Sequence, residues 1–471
     1  MVKVLELSSP KGRATSRVLV AAYLLRIYLS INSLGFTVSL PSIMEDLGFI
    51  AFYPVLLVLN SSSMAVLALV GGKLIDILGV KRMTVLAVSG VSLAALGAAF
   101  APNLPVFVAF YMVMACCHGT GITMPVAMIC DISSQEERPH YMGLYSAANN
   151  VGLLVGPLLG GLITDTLGYR FISLFPLALS VTALFLVIRY YPEKAKKSVP
   201  VTFDGVGAAL SSMAIAGFIA LLNVGGKYLP WSSPVLWGGG MAVAALVAVF
   251  LIWERRAPEP LLNLKLFSIP SFSVGVIMVL LGMPSINLCA NYVTLYVQNG
   301  LGGTATFSGT FALPKTLCVL LVTVGLSKWL SQRKHQYKQF LILGGCITVF
   351  SSLLVFFGLQ WLVGGARVFL LYGITSLYGI AEGFCFMIVY PYYQKNIPAK
   401  YLGSGVSVQT LCTTLGTSFS ATTFGSILNG WDDNVFTAFP WMGLAVMVAA
   451  LIYLVLGGFG MDLGGKDAGA F

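Results

Sequence analysis

The stretch NNVGLLVGPLLGGLI, residues 149–163, combines an apolar composition with four glycines and one proline. In a helix interior, glycine costs about 1 kcal/mol and proline about 3 kcal/mol relative to alanine, so both need a structural reason. Gly152, Gly156 and Gly160 recur every four residues and share one helix face, onto which a second helix backbone can pack closely. Pro157 removes one backbone hydrogen bond and predicts a bend. The stretch therefore predicts a tightly packed helix inside a bilayer.

The composition indicates the same class of protein. Of the 471 residues, 57% are hydrophobic and 9% are charged, whereas soluble globular domains carry roughly 25% charged residues. The first apolar segment is longer than the apolar region of a secretory signal, so we expect it to be retained as a span. The formal net charge of +10 is expected to orient the chain in the membrane. The sequence predicts a multi-pass protein of the cell (inner) membrane, surrounded by lipid, monomeric and without a nucleic-acid partner.

Fourteen apolar segments reach the length of about 20 residues that a transmembrane helix needs. They are residues 18–40, 52–71, 83–101, 105–129, 141–164, 171–191, 205–223, 235–253, 271–296, 308–330, 339–360, 366–390, 402–428 and 436–458. With the N-terminus in the cytoplasm, 22 of the 27 lysines and arginines fall on the cytoplasmic side. Arg170, Lys227 and Arg367 fall outside, while Arg26 and Lys315 lie within spans. Because positive residues concentrate in cytoplasmic loops, both termini are expected in the cytoplasm.

Several kinds of chemistry find no support in the sequence. The eight cysteines match no zinc or redox spacing, and no loop is long enough for a catalytic domain. The phosphate-binding motif G-x-x-x-x-G-K-[ST] does not occur. The sequence therefore predicts neither an enzyme, nor a metal or cofactor site, nor transport driven by ATP hydrolysis.

Two glycine-rich motifs resemble signatures of a known family. In GGKLIDILGVKRM, residues 71–83, the glycines permit a tight turn and the basic residues hold the cytoplasmic side. This loop resembles the cytoplasmic loop of the major facilitator superfamily, although Ile77 stands where a basic residue is usual. The opening stretch resembles G-x-x-x-G-P-x-x-G-G, a signature on the fifth helix of the antiporter branches. The residues that match, and that we expect to act in conformational gating, are Gly72, Asp76, Gly79, Lys81, Arg82, Gly152, Gly156, Pro157, Gly160 and Gly161.

Three further segments resemble the fourteen-helix drug:proton antiporter branch: VSLPSI (38–43), TFDGVGAAL (202–210) and RRAPEPLLNLKLF (255–267). The resemblance implies an all-α major facilitator fold of two six-helix bundles with two extra central helices. The implied boundaries are 1–17 for a cytoplasmic N-terminus, 18–191 for the first bundle, 192–256 for the linker and extra helices, 257–458 for the second bundle and 459–471 for a cytoplasmic tail. It also implies secondary active transport of small organic molecules by alternating access, as proton-coupled multidrug-type efflux.

The chain departs from that branch at charged positions. Asn32 stands where the branch usually carries an aspartate, and Ala115 and His118 replace an arginine and a glutamine on the fourth span. Glu382 is the carboxylate that lies well inside a span, where a charge costs at least about 2.5 kcal/mol and indicates function. We therefore expect proton coupling at Glu382 with help from His118. A fixed ion pair between Glu382 and Arg26, which lie at similar depths, is the alternative.

The polar side chains inside spans predict a substrate site. The candidates are Arg26, Asn32, His118, Asn149, Asn150, Asn287, Asn291, Tyr292, Lys315, Glu382 and Gln409. Lys315 is expected to stand apart, nearer the outer surface. An alternative function uses Arg26 and Lys315 to bind the carboxylate of an organic anion in a carrier or uniporter. A third is a membrane sensor or scaffold on a transporter fold.

Overall fold

The computed structural model describes most of the chain. The described residues are 10–53, 55–57, 59, 60, 63, 64, 67, 74, 75, 78–133, 138–192, 204–225, 229, 232–257, 264–325, 337–362, 364–395 and 402–463. Over these ranges the chain is helical and forms no β-sheet. Backbone N–H and C=O groups find no hydrogen-bond partners in lipid, and a helix pairs these groups with one another within the same segment.

Seventeen α-helices, numbered here in chain order, make up the described part of the chain. They are α1 (Pro10–Asp46), α2 (Val80–Ala99), α3 (Leu104–Gly121), α4 (Met124–Ile132), α5 (Arg138–Thr166), α6 (Leu174–Tyr190), α7 (Gly205–Val224), α8 (Pro234–Arg256), α9 (Pro270–Asn287), α10 (Val293–Leu295), α11 (Ala305–Thr310), α12 (Ala312–Leu320), α13 (Tyr337–Leu353), α14 (Leu359–Trp361), α15 (Gly365–Lys395), α16 (Leu402–Asn429) and α17 (Val435–Leu463). Short 3₁₀ turns lie at Ile50–Phe52, Tyr169–Ser173 and Leu264–Ser268. Wider π-helical turns lie at Leu288–Tyr292, Tyr296–Gly300, Leu321–Gly325 and Leu354–Gly358.

Eleven helical segments of the described chain are long and apolar enough to cross a membrane. They are Thr15–Asp46, Val80–Ala99, Leu104–Ile132, Ala147–Thr166, Tyr169–Tyr190, Pro234–Arg256, Phe272–Gly300, Ala305–Thr323, Lys338–Trp361, Gly365–Cys385 and Val435–Gly458. Each overlaps a predicted span. The predicted span 205–223 corresponds to α7, whose apolar part Gly205–Phe218 is shorter, and 402–428 corresponds to α16. The predicted span 52–71 lies largely outside the described residues.

The chain divides into two compact units. The first comprises Met1–Phe49 and Ser63–Phe203, and the second comprises Ile50–Ser62 and Asp204–Phe471. The helices α1 to α6 therefore belong to the first unit, and α7 to α17 belong to the second. The helices α7 and α8, at the positions where the sequence predicts two extra central helices, pack on each other and lie within the second unit.

One aspartate joins these two extra helices. Asp204 caps α7, because its Oδ1 accepts a hydrogen bond from the backbone N–H of Gly207 at 2.8 Å. The same Oδ1 accepts the indole N–H of Trp253 on α8 at 2.8 Å. A capping side chain satisfies one of the backbone donors that every helix leaves open at its start. Asp204 therefore both starts α7 and fixes it against α8.

The first unit is built around α1. One face of α1 packs on α5, and another packs on α2 and α6 through Tyr28. The Tyr28 hydroxyl, which is 1% exposed, lies 3.0 Å from Ser92 Oγ. Ser92 Oγ in turn donates to Ser180 Oγ at 3.0 Å. Buried hydroxyls need partners, and this chain of three satisfies them across α1, α2 and α6.

The glycine face predicted from the opening stretch meets α1. A Cβ atom on Gly160 would lie 2.7 Å from the Cα of Gly35, and one on Gly156 would lie 3.2 Å from the Cα of Ile31. A Cβ on Gly152 would lie 2.5 Å from the Cβ of Ser30. We call this contact the glycine seam. Because each glycine leaves room only for hydrogen, the two backbones approach more closely than ordinary side chains allow.

The second unit repeats this packing with different residues. The segment 401–421, YLGSGVSVQTLCTTLGTSFSA, aligns without gaps on 141–161, YMGLYSAANNVGLLVGPLLGG. Gly416 of α16 occupies the place of Gly156, and a Cβ there would lie 2.8 Å from the carbonyl oxygen of Leu280 on α9. The contact between α9 and α16 thus repeats the contact between α1 and α5, as expected for two related bundles.

Candidate functional site

A buried ion pair joins α12 and α15 in the second unit. Lys315 Nζ lies 2.9 Å from Glu382 Oε2, and the two side chains are 13% and 11% exposed. Two glycines of α15 bring the helices together, because a Cβ on Gly379 would collide with the backbone of Lys315 and one on Gly383 would collide with Val322. Each charge is costly in an apolar bundle and is offset by the other.

This pairing corrects two expectations from the sequence. Glu382 has Lys315 as its ionic partner rather than Arg26, and Lys315 does not stand apart. The depth estimate treated every helix as straight and perpendicular to the bilayer. In the structure, the span that carries Lys315 breaks between α11 and α12 near Phe311.

Glu382 also borders a cleft within the second unit. The cleft lies between α9, α13, α15 and α17, and its polar lining includes Ser285, Thr348 and Tyr453. Its other lining residues are Leu281, Gly282, Ile286, Gly344, Ala381, Cys385, Val446 and Ala450. The carboxylate therefore has Lys315 as its ionic partner and also borders a partly polar space.

Three candidate substrate residues on the ninth predicted span join helices instead. The amide nitrogen of Asn287, which is 3% exposed, donates to the Thr417 carbonyl oxygen at 3.1 Å and to Ser420 Oγ at 2.8 Å. Asn291 Nδ2 donates to Asn287 Oδ1. The Tyr292 hydroxyl donates to the Ala421 carbonyl oxygen at 3.0 Å, and Tyr292 is 0% exposed. Asn287 and Tyr292 thus connect the end of α9 and its π-turn to α16 and are buried in this conformation, whereas Asn291 is half-buried.

Arg26 belongs to a row of paired side chains between α1 and α5 in the first unit. We call this row the polar ladder. At its first step the Tyr23 hydroxyl donates to the Tyr141 carbonyl oxygen at 3.4 Å. At the second the Arg26 guanidinium lies 5.4 Å from the centre of the Tyr145 ring, and at the third Ser30 Oγ donates to Asn149 Oδ1 at 3.1 Å. Tyr23, Arg26 and Ser30 share one face of α1, and Tyr141, Tyr145 and Asn149 share one face of α5.

The remaining polar candidates of the first unit occupy different surroundings. His118 is 7% exposed and lies near the end of α3. Asn32 is 2% exposed, and neither polar atom of its amide has a hydrogen-bond partner among the described residues. It lies four residues after Tyr28, on the face of α1 that packs toward the core. Asn150 is half-buried on α5.

The gating residues are described in part. Gly72 and Asp76 lie outside the described residues, as does the side chain of the substrate candidate Gln409 on α16. Gly79 precedes α2 with a φ of 83°, which glycine adopts without strain. Lys81 and Arg82 follow in the first turn of α2, and Pro157 and Gly161 are buried in α5.

Tyr145 and Ser30 were missed from the sequence. Their signal was helical spacing: Tyr141, Tyr145 and Asn149 recur every four residues, and Ser30 follows Arg26 by four. Such a stripe of tyrosine and amide on an apolar helix indicates a polar contact with a neighbouring helix. The sequence left open which helix supplies that neighbour.

Comparison with known proteins identifies the family. Residues 22–204 and 198–421 match the model of the Major Facilitator Superfamily. Multidrug resistance protein 3 of Bacillus subtilis is 25% identical over 430 residues, covering 90% of this chain and 81% of that protein. Multidrug transporter protein MdtP of the same organism is 24% identical, covering 91% and 78%. Multidrug resistance protein Stp of Mycobacterium tuberculosis is 22% identical, covering 79% and 68%.

Solved structures agree on the fold. A crystal structure of a mutant of the peptide transporter POT in complex with sulfate superposes with a TM-score of 0.72 at 13% identity, covering 97% of this chain and 99% of that one. The apolar helices and the transporter relatives identify a multi-pass transporter of the cell membrane. On the family match over most of its length, the chain belongs to the Major Facilitator Superfamily.

Proposed function

We propose that the protein exports small organic molecules by alternating access and that proton entry drives the export. The relatives named as multidrug resistance and multidrug transporter proteins support export of several compounds. The observation that carries proton coupling is the buried ion pair between Lys315 and Glu382. An ionisable carboxylate inside an apolar bundle is costly and marks a functional group, and the paired lysine gives it a partner that a proton can replace.

The ion pair provides a two-state element. A proton that binds a carboxylate oxygen of Glu382 cancels its charge and removes its attraction to Lys315. This loosens the contact between α12 and α15, whose glycines leave no side-chain spacer between the helices. Loss of the proton restores the pair. We assign His118 a supporting role, because it is an ionisable side chain buried at the end of α3 in the first unit.

Neutralising Glu382 tests this proposal. In proteoliposomes with an imposed pH gradient, Glu382→Gln is expected to reduce gradient-driven transport by at least about tenfold. Binding of the same compound to the detergent-purified variant should be kept, because glutamine preserves the shape of the side chain. The measurement pairs fluorescent-substrate flux with a binding isotherm.

A matched control comes from the same unit. Glu254 on α8 is another buried carboxylate, 3% exposed, and Glu254→Gln removes a negative charge of the same kind. It should leave the response to the pH gradient intact. Full gradient-driven transport by Glu382→Gln would exclude the carboxylate as the coupling site.

The finer architecture is part of the same proposal. We infer fourteen transmembrane helices with both termini in the cytoplasm, in a protein that works as a monomer in lipid. The first bundle extends over 18–191, the linker and extra helices over 192–256, and the second bundle over 257–458. The cytoplasmic loop with Gly79, Lys81 and Arg82 and the glycine seam then act as the parts that lock and release the bundles. The low net charge of the spans and the distribution of lysine and arginine support this topology.

A further inference from the structure

Arg26 is a largely enclosed cation that forms no ion pair with the residues that the structure describes. Its Nε is enclosed and has no hydrogen-bond acceptor in the described part of the chain. The side chain lies against the face of the Tyr145 ring, which compensates a cation far less than a carboxylate does. Arginine stays charged in proteins. A guanidinium without a counter-charge is costly inside a membrane-spanning bundle, and a bound anionic ligand lowers that cost.

The groups around Arg26 are donors of hydrogen bonds. Asn149 receives the Ser30 hydroxyl on its Oδ1, so its two amide N–H bonds remain to be donated. A guanidinium and a primary amide that face one space together suit a carboxylate, which only accepts hydrogen bonds.

The polar ladder is closed at one end and open along one face. Beyond Asn149 the glycine seam begins, and the backbones of α1 and α5 leave no room for a ligand. Arg26, Tyr145 and Asn149 are each partly exposed within the first unit. A small molecule can therefore reach the guanidinium from that face and rest an apolar body on the Tyr145 ring.

Lys315 differs from Arg26 in this respect. Its ammonium group is neutralised by Glu382 at 2.9 Å, so the organic-anion alternative that used both cations reduces to Arg26. We propose that the polar ladder, through Arg26 and Asn149 with Tyr145 beside them, binds the carboxylate of an aromatic organic anion. This inference rests on the proposed transport function and adds the substrate class: weak organic acids with an aromatic body.

Three isosteric probes separate charge from shape. The full-length transporter in lipid nanodiscs is titrated calorimetrically with 2-naphthoate, 2-naphthamide and 2-naphthylmethylammonium at one ionic strength. The wild type is expected to bind the carboxylate at least about tenfold more tightly than the amide or the ammonium. Equal or tighter binding of the ammonium compound would overturn the assignment.

Variants locate the site. Arg26→Gln should lower the affinity for 2-naphthoate by at least about tenfold, to the level of the amide, and Asn149→Leu by about threefold. Arg170→Gln, which removes an exposed arginine of the same unit, should change nothing. Arg26→Gln leaves no buried partner unpaired, so it should melt no lower than the wild type. Unchanged preference for the carboxylate in folded Arg26→Gln would refute the site.

The binding assay uses no gradient and is therefore independent of proton coupling. If 2-naphthoate binds through Arg26 but no pH gradient drives any transport, the substrate class stands and the coupling proposal fails. If a pH gradient drives export of cations while 2-naphthoate does not bind, the coupling proposal stands and the proposed substrate class fails. Glu382→Gln should bind 2-naphthoate as the wild type does.

Discussion

Arg26 and Lys315 show how neighbours decide the role of a residue. Both are cations inside apolar helices. Lys315 lies 2.9 Å from a carboxylate, whereas Arg26 faces an aromatic ring at 5.4 Å. The first arrangement is internally balanced, and we propose that it responds to a proton. The second has no carboxylate beside it among the described residues, and we propose that a ligand completes it.

The ion pair predicts a specific pattern of stability. Lys315→Ala leaves Glu382 buried without a partner, and we expect a loss of about 3–5 kcal/mol in the free energy of unfolding. Replacing both residues by leucine removes both charges, and this double variant should lie within about 1 kcal/mol of the wild type. Chemical denaturation of the purified variants in mild detergent measures both values. Equal losses in the single and double variants would show that the charges are not coupled.

At the scale of elements, glycines determine which helices meet. The glycine seam fixes α1 on α5, Gly416 fixes α9 on α16, and Gly379 and Gly383 fix α12 on α15. Each close contact places a functional group: the polar ladder follows the first, the network of Asn287 and Tyr292 follows the second, and the ion pair lies in the third. The same small residues therefore organise both packing and polar chemistry.

Replacing one glycine of the glycine seam by alanine tests whether the close contact between α1 and α5 is required. Gly160→Ala puts a Cβ 2.7 Å from the Cα of Gly35, and the backbone must shift at a cost of about 1–3 kcal/mol. We expect a lower melting temperature and slower transport. Gly238→Ala on α8 is the matched control, because a Cβ there meets nothing within 4 Å and alanine favours a helix by up to about 1 kcal/mol. If Gly160→Ala melts like Gly238→Ala, close contact at the seam is not required.

At the scale of the whole molecule, exposed apolar side chains indicate the membrane. Large hydrophobic residues such as Phe185, Met241 and Phe369 are 63%, 69% and 80% exposed in the isolated chain. Lipid covers such surfaces, so they belong to a protein whose solvent is the bilayer. The helix α8, with Trp237 at 68%, is among the most exposed, as expected for a helix added to a complete bundle.

The topology proposal can be checked with reporter fusions. Alkaline phosphatase fused after Lys227, between the two extra helices, should be active, because that loop is expected outside. A fusion after Lys196 should be inactive, and a fluorescent protein at the C-terminus should be bright, because both lie in the cytoplasm under the positive-inside rule. Phosphatase activity at position 196 would invert the proposed topology.

The sequence by itself determined the class of protein, the positions of most spans, the family and the glycine face of α5. These follow from composition and from periodicity along one helix, which are local properties. Only the tertiary structure decided that Glu382 pairs with Lys315 rather than Arg26, that Asn287 and Tyr292 are used in helix contacts, and that no carboxylate pairs with Arg26 in the described part of the chain. The partner of a buried charge depends on helix breaks and close backbone approach between residues far apart in the chain, and the spacing of residues along one helix does not contain that information.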